Sequence, residues 1–317
     1  MAVIPDSSSR AWDVIGLGAN SVDLVHLLPA FPKPSGWHSK MRIARQVVCC
    51  GGQTATAMAT CAAFGLRARY IGAIGRDDHG RRVRETLGGR GIDLSGLVTR
   101  DDATTQFAVI LIDGQTGERA VLWDRDERLA LEDADVPLEV LASTRLLHVD
   151  DVDQAAAIRA ARHARELGIP VTSDLDRMTE RTEELVRSVT VPIFAEGLTE
   201  QLTGIRDSER ALRALRHHHD GLLCMTAGDR GAVALDGDRF IVSPACRVDA
   251  VDTTGSGDVF RGAFIYGLLA GWETARILQV ANAAAAVKCM RLGALDGVPG
   301  LAETLRMMED GHAERRV

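Results

Sequence analysis

The chain has 317 residues, enough for one large α/β domain with a small appendage. Apolar residues make up 46% and charged residues 26%, the balance of a globular protein; with aromatics at only 4%, the core has to come from Ala, Val, Leu and Ile. A net charge of −7 without a basic, aromatic-interleaved stripe argues against a nucleic-acid-binding surface, and no apolar run approaches the roughly 20 residues that span a bilayer.

Asp13 to Ala19 is a short apolar run ending in Gly and Asn, the pattern of a buried strand entering a loop. Val22 to Leu28 and Met41 to Val48 alternate more, as partly exposed strands do. Gly51 and Gly52 then precede an Ala- and Met-rich helical stretch, Thr54 to Phe64. Arg69 to Ile74 is another apolar strand, followed by a helical segment from Gly80 to Leu87. Thr105 to Ile112 and Arg119 to Trp123 flank Asp113-Gly114-Gln115-Thr116-Gly117, a hairpin with Gly-rich turn chemistry.

From there the pattern becomes regular. Leu146 to Val149, Val171 to Asp174, Ile193 to Ala195 and Leu222 to Thr226 read as strands. Ala155 to Leu167, Glu183 to Val189 and a stretch around Ser208 to His217 read as helices between them. Strands alternating with helices predict an α/β fold with a doubly wound, mostly parallel sheet flanked by helices. The strands at about 20–50 and 103–125 fall outside the alternation and predict a small separate sheet. With no low-complexity linker, residues 1–317 read as a single domain.

The N-terminal residues lack the charged and apolar regions of a secretion signal. Cys49, Cys50, Cys61, Cys224, Cys246 and Cys289 form no Cys-x-x-Cys pair, which fits reduced thiols and a cytoplasmic location. Three consecutive imidazoles, His217 to His219, point different ways on a helix and read as a solvated helix end.

The most informative stretch is Asp252-Thr-Thr-Gly-Ser-Gly-Asp258, followed by an apolar helical run from Val259 to Leu269. Gly255, Ser256 and Gly257 let successive backbone N–H groups converge, and the helix that starts there adds its positive dipole end, so an anion such as phosphate fits. A carboxylate at that point repels phosphate unless it has a second task. Asp258 has one if it accepts the proton of a hydroxyl that attacks the phosphorus. The residues therefore read as phosphoryl transfer to an alcohol, with a plain helix start as the bland alternative. No Gly-x-x-x-x-Gly-Lys-Ser/Thr occurs, which argues against a P-loop enzyme. No Gly-x-Gly-x-x-Gly opens the first helix either, which disfavours a dinucleotide-dependent oxidoreductase.

Residues 252–264 resemble the C-terminal signature of the ribokinase-like (PfkB) carbohydrate kinases, with Ser256 in place of the usual Ala. The diglycine Gly51-Gly52 before a helix resembles the N-terminal signature of the same family, and the likeness runs from Gly16 to Pro299. Phe194-Ala195-Glu196, Gly257 to Phe260, and Lys288-Cys289 with Arg291 are similar to sulfofructose kinase and its sugar-kinase neighbours. The resemblance implies a ribokinase-like fold with a small β-sheet lid that often doubles as a homodimer surface.

It also implies MgATP as phosphoryl donor and a sugar as acceptor, through a primary hydroxyl of a ketose or an anionic sugar derivative. Asp258 is implied as base, with the amides of Gly255, Ser256 and Gly257 around the transferring group. Asp23, with Asn20, is implied to bind sugar hydroxyls, and Gly51, Gly52 and Gln53 to let the sugar lie against backbone. Thr56 stands where the family commonly has Asn, and Arg177 is placed to meet a substrate anion. Thr226, Gly228, Gly231, Thr254 and Asn282 are implied as the nucleotide site. The family's Asn-x-x-Glu, which reaches Mg²⁺ through water, is broken here, with Ala195 and Leu198 at its two ends. Glu196 is the nearest substitute and Glu200 the second. Lys288 to Gly293 lies where relatives can hold a monovalent cation with carbonyl oxygens. A nucleoside kinase of the same fold and a non-catalytic nucleotide- or sugar-binding regulator are the alternatives.

Overall fold

The structure, a computed structural model, describes residues 10–313, with side chains to residue 310. Within that span the strands form two sheets. The large sheet contains β1 (Val14–Leu17), β4 (Ala68–Gly75), β5 (Asp93–Arg100), β8 (Leu147–Asp150), β9 (Val171–Leu175), β10 (Val191–Ala195), β11 (Leu223–Thr226), β12 (Ala232–Asp236) and β13 (Arg239–Ser243). Their spatial order is β13-β12-β11-β10-β9-β8-β1-β4-β5. The strands from β11 to β5 pair parallel, whereas β12 and β13 add an antiparallel edge. The alternation of strand and helix anticipates the parallel part. The edge hairpin and β5 escape it because no helix separates β11, β12 and β13 and because β5 is a polar, half-exposed edge strand.

Helices cover both faces. Val14, Ile193 and Cys224 point to one face, packing with Met58 of α1 (Gln53–Ala63), Val83 and Leu87 of α2 (Asp78–Gly89), Phe260 and Phe264 of α8 (Ser256–Leu269) and Ile277 of α9 (Thr274–Cys289). Ile15, Phe194 and Met225, one residue along each strand, point to the other. There they meet Ala157 and Ala161 of α4 (Gln154–Glu166), Leu185 of α5 (Thr182–Ser188), Leu198 of α6 (Glu196–Thr203) and Leu212 of α7 (Ser208–Arg216). Strand period two makes that division, and burial on both faces explains the near-continuous apolar runs in the sequence. The short α3 (Leu138–Leu141) precedes β8, and α10 (Leu301–Ala313) ends the described chain.

The small sheet, in order β3-β2-β6-β7, is built from β2 (Ser21–Leu28), β3 (Arg45–Gly51), β6 (Phe107–Asp113) and β7 (Arg119–Asp124). It is the separate sheet that residues 20–50 and 103–125 predict. Every residue of edge strand β7 is exposed, Trp123 by 58%.

His219 corrects one expectation. It is buried, its Nε2 donates to Val189 O at 3.0 Å and its Nδ1 accepts from Gly221 N at 3.1 Å, so it ties the turn after α7 to the end of α5 instead of facing solvent. Burial lowers its pKa and keeps the ring neutral.

The junction between the two sheets depends on Gly52, which caps α1 at φ +96°, and whose added Cβ would stand 2.4 Å from the Cα of Asn20. Gly52→Ala therefore meets both a disfavoured backbone conformation and a clash with main chain. It is expected to cost roughly 2–4 kcal/mol of folding stability, read as a fall in the urea midpoint. An unchanged midpoint would mean that the 19–20 segment moves aside freely.

Candidate functional site

In the large sheet the chain runs outward through β1, β4 and β5, then returns to the other side of β1 with β8. The order reverses at β1/β8, and the loops beyond the C-terminal ends of those two strands part there to leave a crevice. The polar residues singled out in the sequence gather at this end. A second concavity of about 680 Å³ lies at the opposite end of the sheet, among Leu146, Pro170, Val191 and Leu222. It faces the N-terminal ends of the strands and shares none of these residues.

Carboxylates dominate the crevice. Asp150 ends β8 and accepts hydrogen bonds from Ala19 N at 2.6 Å, Thr54 Oγ1 at 2.8 Å and Val152 N at 3.1 Å, joining the β1 loop to the start of α1. The next residue, Asp151, accepts from the amides of Asp176 and Arg177 at 2.8 and 2.7 Å and so shapes the loop after β9. Asp23 on β2 is buried, with Ser21 Oγ donating to it at 2.7 Å. Gly51 faces it across the strand pair so closely that a Cβ there would stand 2.2 Å from Asp23 Oδ2.

Asp258, in the first turn of α8, feels Asp23, Asp176 and Asp150 together. Burial first, and then these neighbouring charges, push its pKa up to about 6 against the pull of Arg261. Burial likewise raises Asp23 and Asp150 to about 6. Asp174, at the end of β9, is raised too, although it pairs with Arg261 at 2.7 Å with both side chains almost wholly buried.

The helix starts differ in how they are capped. Asp77 accepts from Gly80 N at 2.7 Å to cap α2, and Asp207 accepts from Arg210 N at 2.9 Å to cap α7. At the crevice, α1 begins after Gly52 and α8 after Gly255, and neither has a side-chain cap. The amide of Ala55 donates to Ala19 O at 3.1 Å and that of Ser256 to Thr253 O at 3.2 Å, and the remaining first-turn amides suit an anion. Gly255 takes φ +77°, which turns the chain so that the following amides lead into α8. Several buried polar atoms of the region lack partners, among them Asn20 Oδ1, Thr56 Oγ1, Asp174 Oδ2 and Thr254 Oγ1. Unpaired buried groups are uncommon and fit a site built to receive a ligand.

The expected sugar residues converge unevenly. Asp23, Asn20, Gly51, Gly52 and Gln53 lie together at the mouth of α1, with the Asn20 amide donating to Tyr70 Oη and Ala73 O at 2.9 Å each. Thr56 sits one turn further in and is wholly buried. Arg177 is half-exposed, stands 3.6 Å from Asp151, and stacks over Trp123 of β7 with 5.6 Å to the ring centroid. Arg119, at the start of β7, donates to the hydroxyl of Thr253. The small sheet thus touches the loops after β9 and before α8.

On the nucleotide side, Thr226 ends β11, and Gly228 to Gly231 form a tight turn in which Ala227 N donates to Gly231 O at 2.8 Å. The amide nitrogen of Asn282 donates to Ser243 O and Oγ and to Pro244 O, fixing the chain after β13 to α9. Glu196 starts α6, half-exposed, and pairs with Arg230 of the tight turn. Glu200 pairs with Arg206 on the surface at 2.8 Å.

Among the described residues no three metal-ligating side chains converge. Mg²⁺ would therefore take most of its ligands from phosphate and water, with Glu196 the carboxylate beside the nucleotide turn. The turn from Lys288 to Gly293 does not fit a monovalent cation, because the ammonium of Lys288 itself lies among the oxygens there.

Sequence reasoning missed Asp150, Asp151, Arg261 and the bonds of Lys288. A signal for the first two was present: Asp-Asp-x-Asp directly after a buried strand puts carboxylates at its C-terminal end. Arg261 gave none, since an Arg inside an apolar helix reads as an exposed position.

Residues 20–300 match the family model described as pfkB family carbohydrate kinase. A nucleoside kinase of Methanothermobacter thermautotrophicus is 25% identical over 94% of this chain and 96% of its own length. A structure from Agrobacterium tumefaciens, provisionally described as a ribokinase, superposes with TM-score 0.89 at 28% identity, covering 95% of this chain and 99% of that one. Ribokinase from Arabidopsis thaliana, solved with ribose and ATP, gives 0.81 at 23% identity over 94% and 99%. The fold is ribokinase-like, and the chain belongs to the pfkB family of carbohydrate kinases, phosphotransferases that act on an alcohol group.

Proposed function

We propose that this protein is an ATP-dependent sugar kinase in which Asp258 is the general base. The observation that carries the reading is the position of Asp258: a carboxylate raised to about 6, in the first turn of an uncapped helix behind Gly255-Ser256-Gly257, across from buried Asp23. Asp23 and Asn20 bind sugar hydroxyls and hold the acceptor at the mouth of α1. Asp258 removes the proton from a primary hydroxyl as its oxygen bonds to the γ-phosphorus of ATP. The bond from that phosphorus to the β,γ-bridging oxygen breaks, and ADP leaves. The amides of Gly255, Ser256 and Gly257, with Thr254 beside them, receive the charge on the transferring group.

Mg²⁺, when bound, neutralises the phosphates, with Glu196 the nearest candidate to reach it through water. ATP lies along Thr226 to Gly231 with Asn282 bracing the adenine wall. Gly51, Gly52 and Gln53 let the sugar approach backbone. Arg177, half-exposed beside Trp123, favours a sugar derivative carrying its own anion over a neutral ketose. The small sheet is then a lid that excludes water. A nucleoside kinase is the second reading, favoured by the archaeal relative of that name. Competition by adenosine against the sugar separates the two.

ADP release across ketoses, aldoses, anionic sugars and nucleosides is expected to appear with one sugar class, and Asp258→Asn to lower kcat by roughly 10²–10⁴. Wild-type turnover in that variant would remove Asp258 from the role. The same variant reports on the strain of the acid cluster. With a folded pKa of about 6, above the unfolded carboxylate value of 3.8, ionised Asp258 destabilises the fold increasingly as pH rises through that interval. Asp258→Asn should therefore raise Tm by roughly 2 °C at pH 8 and leave it unchanged at pH 3.5.

In the wild type, log kcat/KM should fall with a slope of one or more below about pH 6 and stay level above it, because ionised Asp258 must accept the proton and Asp23 titrates in the same range. An acid limb below pH 4.5 would point to a different base. Finally, edge strand β7 exposes Val121, Leu122 and Trp123 by 46%, 56% and 58%. Two copies are expected to pair there as a homodimer, with sedimentation giving a dimer for the wild type and a monomer for Leu122→Glu.

A further inference from the structure

Lys288 lies in the last turn of α9 with its side chain wholly buried, an unusual place for an ammonium. Its Nζ donates to the carbonyl oxygen of Asp252 at 2.7 Å and to that of Arg291 at 3.4 Å, and stands 3.5 Å from Asp252 Oδ2. The stem is packed as closely as the head: a Cβ on Gly297 would come within 3.0 Å of Lys288 Cε. Asp252, the residue so held, begins the glycine loop. Its carboxylate accepts from Thr254 N and from Gly293 N, each at 2.8 Å. The amides of Val251 and Asp252 in turn bond Cys289 O at 2.8 and 3.1 Å. Two carbonyls and one carboxylate therefore converge on a single positive charge at the root of the loop that ends in Asp258.

Carbonyl oxygens ringed around a point charge are what a dehydrated monovalent cation takes from a protein. Here a side chain already delivers that charge, and a second cation among the same oxygens would meet the ammonium at contact distance with little water to screen it. We infer that Lys288 is a built-in replacement for a dissolved monovalent cation, so that the glycine loop is set and the enzyme works without K⁺ or Na⁺. Lys288 is a positioning residue: it touches neither sugar nor phosphate and acts through Asp252 on the amides of residues 254–257. The inference rests on the kinase reading for its catalytic half and on the cage alone for its structural half.

The test compares the purified protein in KCl, NaCl and tetramethylammonium chloride at equal ionic strength, reading kcat/KM for MgATP and Tm. The expected result is equality within about twofold in rate and about 1 °C in Tm. K⁺ activation of about tenfold or more, or a Tm raised specifically by K⁺, overturns the inference. Lys288→Met keeps most of the stem and removes the charge; it is expected to lower kcat roughly 100-fold through a displaced loop while calorimetry still detects MgATP binding. In Lys288→Ala, K⁺ or NH₄⁺ should restore part of the lost Tm and tetramethylammonium, which is too large, should not.

Wild-type kinetics and Tm in Lys288→Met would reduce the ammonium to packing and overturn the proposal. If neither variant folds, the wild-type salt comparison still decides. If the wild type phosphorylates nothing, the kinase reading has failed, and Tm in the three salts still decides the cage.

Discussion

Carboxylates crowded at the C-terminal ends of parallel strands are the constraint on which this structure depends. Asp23, Asp150, Asp174 and Asp258 are all raised by burial, and Asp258 feels three other carboxylates. Two buried cations make the crowding tolerable. Arg261 of α8 pairs with Asp174, and Lys288 holds Asp252 from the end of α9. Removing one partner of such a pair leaves an uncompensated charge at a cost of about 3–5 kcal/mol, whereas the intact pair adds little net stability. Both cations come from helices packed side by side, so the geometry of the α8/α9 layer and the electrostatics of the crevice are one property.

The helix termini follow the same division. A side-chain cap contributes about 1 kcal/mol, and α2 and α7 have theirs. The two helices whose starts face the crevice have glycines and go without. The small sheet belongs to the same system, since Arg119 reaches Thr253 and Trp123 lies under Arg177.

What the sequence revealed follows from locality. Gly51-Gly52 and Gly255-Ser256-Gly257-Asp258 carry their chemistry within a few residues, and the period-two and helix-period patterns located the parallel strands. The β12/β13 hairpin and β5 were not read, because no α-helix breaks the run from β11 to β13 and because β5 is a polar, half-exposed edge strand. Asp150 and Asp151 gain their roles from amides more than 20 residues away, or more than 130 for Ala19. His219 looked like part of a solvated tract until Val189 O was found at its ring. Lys288 lay inside a stretch where the resembled family can hold a monovalent cation with carbonyl oxygens. Its own head group filling that place is a fact of packing against Gly297, beyond any linear pattern.

On the proposed reaction, the same crowding explains why a carboxylate stands at an anion site at all. Asp258 and the phosphates of ATP compete for one group of amides, and while both are charged they repel. As the hydroxyl gives up its proton, Asp258 becomes neutral and the repulsion falls while the phosphoryl group is between donor and acceptor. The relief is absent when substrates first bind and present in the transition state, which is the kind of difference that accelerates a reaction instead of merely tightening binding. A pKa near 6 suits this exchange: high enough for Asp258 to take the proton readily, low enough for it to be ionised at neutral pH. Asp23 and Asp150 set part of that value by standing close, so the residues that hold the sugar and shape the loop also tune the base. Arg261 limits the rise, and its place one turn along α8 from Asp258 keeps the carboxylate from becoming permanently protonated.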